Sequence, residues 1–136
     1  MDNSLRDFIR VRAGHRCEYC QVPEAYDRLP FQPDHIIAEK HGGPTTRENT
    51  AWSCFDCNIY KGPCIAGIDS ESGEVTRLFH PRKDSWSDHF QWAGGSLIGK
   101  TPQGRATIAV LRVNLPRRVA FREQLRIEGV FAESES

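Results

Sequence analysis

The chain has 136 residues, 38% of them hydrophobic, with 18 basic and 18 acidic side chains, enough for one modest core and too little for two large independent ones. No stretch approaches the roughly 20 consecutive apolar residues of a membrane span, and Met1 to Arg12 lacks a signal-peptide core, so a cytoplasmic protein with no membrane partner is expected. The balanced total excludes an overall polycation, but residues 100–126 carry seven basic groups and one acid, a local basic segment that the neutral sum conceals.

Residues 3–13 place Leu5, Phe8, Ile9 and Arg12 at helical spacing, with Asn3 or Ser4 as cap and Gly14 as stop. Pro30 to Ala38 reads as a short strand and Asn49 to Ser53 as its partner, across a loop containing Gly42, Gly43 and Pro44. A short helix is predicted from Phe55 to Lys61, ending at Gly62-Pro63. Ile65 to Asp69 and Glu74 to Phe79 flank Ser70-Glu71-Ser72-Gly73, a hairpin turn by composition. A second hairpin turns at Gly94-Gly95, between His89 to Trp92 and Ser96 to Gly99. Helices follow over Thr107 to Asn114 and Arg117 to Ile127, divided near Pro116. The expected organisation is one domain over 1–127, with its core at 12–62 and an embellishment at 63–127, then an acidic, frayed tail at 128–136.

Five cysteines in a reducing compartment, an odd number, argue against a disulfide framework. Cys17-Glu-Tyr-Cys20 and Cys54-Phe-Asp-Cys57 are two C-x-x-C pairs, and each can present two thiolates from one tight turn. Structural zinc prefers such a closed four-sulfur shell, so Cys17, Cys20, Cys54 and Cys57 are assigned to one Zn²⁺. Buried free thiols or a thioredoxin-type redox pair are the alternatives, and the latter needs a βαβ context absent here. Cys64 has no partner at motif spacing and reads as a packed thiol. The 33 residues between Cys20 and Cys54 exceed a zinc-ribbon spacing, so a sizeable segment is looped out.

That segment contains Asp34-His35-Ile36-Ile37, Gly42-Gly43 and Asn49, and the second pair continues as Cys57-Asn58-Ile-Tyr-Lys61. In this order the motifs resemble the HNH endonuclease family over about residues 12–62. The resemblance implies an α+β fold with a ββα-metal (HNH, His-Me finger) core stapled by the four-cysteine zinc site, plus C-terminal hairpins and helices. It also implies a metal-dependent endonuclease acting on DNA and leaving 5′-phosphate and 3′-hydroxyl ends.

Phosphodiester hydrolysis needs a proton acceptor for the attacking water, and an imidazole near its ordinary pKa of about 6.5 serves at cytosolic pH; His35 is the expected base. Asp34 and Asn58 are the expected ligands of a divalent ion, and two oxygen donors favour Mg²⁺ or Mn²⁺. Adjacent strand residues point to opposite faces, so Asp34 and His35 share one phosphate only if the strand ends or bends there. The resemblance implies that Asn49 braces the loop through backbone hydrogen bonds and orients His35. Lys61, three residues after Asn58 on one helix face, is a candidate phosphate contact, with a solvated helix-end lysine as the plain alternative. Two departures stand out. Asn58 occupies the position of the family's last histidine, and Ala38 stands where proline is common.

Arg118, Arg122 and Arg126 recur every four residues, with Arg117 beside them, and are expected to form a DNA-contacting stripe. Leu78 to Arg82, Trp86, His89, Phe90 and Trp92 read as an aromatic cluster, first as core packing under the zinc knuckle and second as a substrate-side wall. His15, His41, His80 and His89 lack partners at motif spacing and are not assigned. One metal centre cuts one strand, so a monomer nicks, and a double-strand break requires a homodimer or two events. A non-catalytic zinc-stabilised nucleic-acid-binding module and a partner-dependent nuclease subunit are the rival readings.

Overall fold

In the computed structural model, which describes residues 1–131, the first helix α1 (Asn3–Arg12) begins at Asp2. Its carboxylate accepts from Ser4 N at 2.9 Å, so the cap lies one residue before the expected Asn3 or Ser4. The chain then folds as two units. The first comprises residues 1–65 and 80–83, and the second comprises 66–79 and the chain from 84 onward.

The first unit holds an antiparallel hairpin, β1 (Gln32–His35) and β2 (Thr50–Ser53), followed by helix α2 (Phe55–Lys61). Asp34 pairs with Ala51 and His35 with Thr50. Both strands are shorter than their sequence patterns suggest, because a one-turn 3₁₀ segment, Arg47–Asn49, leads into β2 and the chain bends at Ile36 and Ile37. Cys54 caps α2 by accepting from Cys57 N, and Gly62 ends it at φ +48°, the left-handed region where glycine lacks the usual penalty. Every residue of β2 is buried, and Trp52 packs against Phe31 with ring centroids 6.3 Å apart.

In the second unit β3 (Ala66–Ile68) pairs with β4 (Val75–Arg77). A short helix α3 (Trp86–His89) leads into β5 (Phe90–Ala93), which pairs with β6 (Ser96–Gly99). Helices α4 (Pro102–Leu111) and α5 (Pro116–Ile127) follow. Fold class is thus α+β, built from small antiparallel hairpins and short helices.

Helix α4 starts five residues before the predicted Thr107. Thr101 accepts from Gly104 N and Pro102 takes the first turn, where its missing N–H costs nothing. It also stops short of Asn114, whose side chain instead accepts from Leu97 N at 2.9 Å and donates to Leu97 O at 2.8 Å, extending the pairing of β6. The expected aromatic cluster is divided between the units. Phe79, Trp86, His89, Phe90 and Trp92 pack on one another within the second, whereas His80 to Lys83 belong to the first. Of the expected tail, Phe131 is buried against Trp92 at 4.9 Å, and residues 132–136 lie outside the described residues.

The arginine stripe is corrected. Helix α5 turns Arg118 and Arg122 inward, at 4% and 1% exposure. Arg118 Nη1 donates to Leu111 O at 2.8 Å and Arg112 O at 3.2 Å, near the end of α4. Arg122 donates to Gly95 O at 2.7 Å and Val113 O at 2.8 Å. These guanidiniums satisfy buried carbonyls and cannot reach DNA, which leaves Arg117 exposed and Arg126 paired with Glu123 at 2.9 Å.

Candidate metal centre and active site

Cys17 and Cys20 follow the turn after α1, and Cys54 and Cys57 flank the start of α2, so the hairpin lies in the chain between the two pairs. All four are buried and their sulfurs lie within 4.8 Å of one another. A tetrahedral zinc with bonds of about 2.3 Å requires sulfur–sulfur edges of about 3.8 Å. The Cys20–Cys54 separation is 3.7 Å. Cys20 N and Cys57 N donate to Cys17 Sγ and Cys54 Sγ at 3.4 Å, the arrangement that stabilises thiolates in a knuckle. Without a cation the cluster is unfavourable: neighbouring thiols and then burial push the Cys54 thiol well above its usual range, and burial foremost does so at Cys57. The donor set and its dimensions fit zinc, and a bound cation would reverse this shift. Cys64, the fifth cysteine, is half-buried and stands outside the cluster.

The two residues between the first cysteines reach the hairpin. Glu18 accepts from Trp52 N at 2.8 Å and its own N–H donates to Trp52 O at 2.8 Å, pairing the knuckle with the outer edge of β2; Arg82 donates to the same carboxylate. Tyr19, buried, donates its hydroxyl to Asp34 Oδ2 at 2.6 Å. Burial and the Asp34 charge hold the Tyr19 phenol well above its ordinary value, so it remains a donor. Neither residue was singled out from the sequence, where the two x positions of C-x-x-C carry no distinguishing signal.

Asp34 is only 5% exposed, on the inward side of β1. Besides Tyr19 it meets Lys61 Nζ, 3.1 Å from Oδ2 and 3.3 Å from Oδ1. Lys61 also donates to His35 O at 3.0 Å and Ile36 O at 3.1 Å. The lysine is 1% exposed, which replaces both sequence-based readings of its position, the phosphate contact and the solvated helix-end residue. Its ammonium pins the end of β1 to α2. Burial raises the Asp34 carboxyl above the usual carboxylate range, opposed first by the Lys61 charge.

His35, next on β1, faces the other way and keeps 22% of its side chain exposed. Its Nε2 lies 2.8 Å from Thr45 Oγ1 and 3.9 Å from Glu39 Oε2. The loop between is closed by Asn49. Its Oδ1 accepts from Ile37 N at 2.9 Å, and its Nδ2 donates to Ile37 O at 2.9 Å and Pro44 O at 2.8 Å. Gly43 is required there, since a Cβ would stand 1.8 Å from Ile37 O. Asn58 is half-buried on α2, one turn before Lys61, the residue that reaches Asp34. The carboxylate and amide oxygens at these two positions are hard oxygen donors, and those of Asp34 are engaged by Tyr19 and Lys61.

The chain shows one cluster of metal-type ligands among the described residues, the four cysteines, and no helix long and apolar enough to cross a membrane. The HNH endonuclease family model matches residues 17–63. This match covers the four-cysteine cluster, β1, β2 and α2, and it supports a nuclease-type function and a nucleic-acid substrate. No curated protein and no solved structure matches the chain.

Proposed function

We propose that the chain is a metal-dependent endodeoxyribonuclease that hydrolyses DNA phosphodiesters and nicks one strand as a monomer. The observation that carries this reading is a partly exposed His35 at the end of a strand braced by Lys61 and the Asn49 loop, inside the segment that matches a nuclease family. His35 takes a proton from water as the water oxygen bonds to phosphorus. The bond to the 3′-oxygen breaks, leaving a 5′-phosphate, and the 3′-oxygen takes up a proton from solvent. Asp34 and Asn58 would hold a divalent ion, which when bound supplies charge stabilisation at the phosphoryl and leaving oxygens. Asn49 organises the loop and is no ligand, since both ends of its amide are spent on backbone groups. Lys61 acts within the protein, holding Asp34 and the end of β1, and so is a positioning residue. Structural zinc at the cysteines, DNA as partner and a homodimer for double-strand cleavage belong to the same proposal.

One observation favours the rival reading, a zinc-stabilised binding module without catalysis: both Asp34 oxygens already have protein partners. Purified protein is incubated with supercoiled plasmid in Mg²⁺, Mn²⁺ or EDTA, beside a His35→Ala variant of equal zinc content. Nicking that needs the divalent ion and disappears with His35→Ala supports the nuclease. No cleavage under any metal, with one zinc per chain retained, supports the module or a subunit that needs a partner.

A further inference from the structure

His35 has two ring nitrogens, and the structure engages one of them. Nε2 lies 2.8 Å from Thr45 Oγ1, with the Glu39 carboxylate 3.9 Å away on the same side. A nearby carboxylate favours an N–H there over a lone pair. Thr45 is exposed, so side-chain packing does not fix its hydroxyl; its backbone neighbours do. Before it, Pro44 O is held by Asn49 Nδ2 at 2.8 Å. After it, Thr46 O is held by Thr50 Oγ1 at 2.8 Å and by Asn49 N at 3.2 Å. Thr45 is therefore the centre of a loop clamped on both sides, and Thr50 is the cross-strand partner of His35 itself.

We propose that Thr45 is a positioning residue for His35: its hydroxyl accepts from Nε2–H, fixes the ring and its tautomer, and leaves Nδ1 to receive the proton of the attacking water. This rests on the reading of His35 as the base. The proton moves from water oxygen to Nδ1 while Nε2–H stays in place, so no second proton acceptor is needed.

The test uses full-length zinc-loaded protein with ¹⁵N-labelled histidine, free of DNA, together with plasmid-nicking kinetics. In the parent the His35 ring proton resides on Nε2 and exchanges slowly with solvent. Thr45→Val exposes that proton to rapid exchange and lowers kcat about three- to tenfold with KM unchanged, and Thr45→Ser restores both. A ring proton on Nδ1 in the parent, or a Thr45→Val protein with parental kcat, overturns the proposal even if His35→Ala abolishes nicking. If His35→Ala nicks as well as the parent, the nuclease reading falls and takes this role of Thr45 with it.

Discussion

Replacing Lys61 by methionine keeps most of the length of the side chain and removes its charge and three hydrogen bonds. Asp34 would then stand 5% exposed with Tyr19 as its remaining partner, and the carbonyls of His35 and Ile36 would lose the ammonium. Breaking a buried pair by removing one member costs about 3–5 kcal/mol, because the other charge stays behind. Protonation limits this. Burial already raises the Asp34 carboxyl, and without Lys61 that rise is less opposed. A carboxyl with a folded pKa above its unfolded value favours the native state below the unfolded value and loses that advantage as pH rises through the folded one. The deficit of Lys61→Met is therefore largest at neutral pH and shrinks as the solution is acidified. Urea unfolding of the zinc-loaded protein at several pH values measures it, with the Asp34→Asn, Lys61→Met double variant recovering at least about 1 kcal/mol of the summed losses. A Lys61→Met cost below about 0.5 kcal/mol, the level of a surface substitution, would refute the argument.

Cys57→Ser should eliminate stoichiometric zinc by elemental analysis and abolish the cooperative thermal transition of the zinc-bound protein, since metal-binding energy in a small site is folding energy. Gly43→Ala places a methyl against the Ile37 carbonyl, and a loss of about 1–3 kcal/mol in chemical denaturation is expected together with reduced nicking. Arg105 donates to Asp69 at 2.7 Å and holds its carboxyl well below the usual range, so Asp69 stabilises the fold above its unfolded pKa and this is lost as pH falls toward the folded value. Asp69→Asn should flatten the acid side of the stability profile, read from urea midpoints between neutral pH and pH 3.

The parts of the site that depend on local chemistry were legible. Two C-x-x-C pairs specify a tetrahedral sulfur shell wherever they meet, and Gly62-Pro63 behind Lys61 marks where α2 ends. What escaped was direction. Spacing placed Asn58 and Lys61 on one helix face, but only packing shows that the face turns to Asp34 and not to solvent. Four-residue spacing likewise placed Arg118 and Arg122 together. It carried no sign that carbonyls left unpaired after α4 and at Gly95 needed charged donors inside the fold. Tyr19 and Thr45 were invisible for a third reason: their partners lie 15 and 10 residues away, across turns that no periodicity describes.

The hairpin also lies on a closed circuit of chain. With zinc bound, Cys20 and Cys54 are joined across 33 residues that include β1, the Asn49 loop and all of β2. A reversible cross-link of that span removes about 3 kcal/mol of chain entropy from the unfolded state, on the simple logarithmic scaling of loop closure. Strand pairing then becomes a search within a ring and not along an open chain. Zinc should accordingly accelerate folding as well as deepen its end point, and cellular zinc supply would set how quickly newly made molecules acquire a formed hairpin.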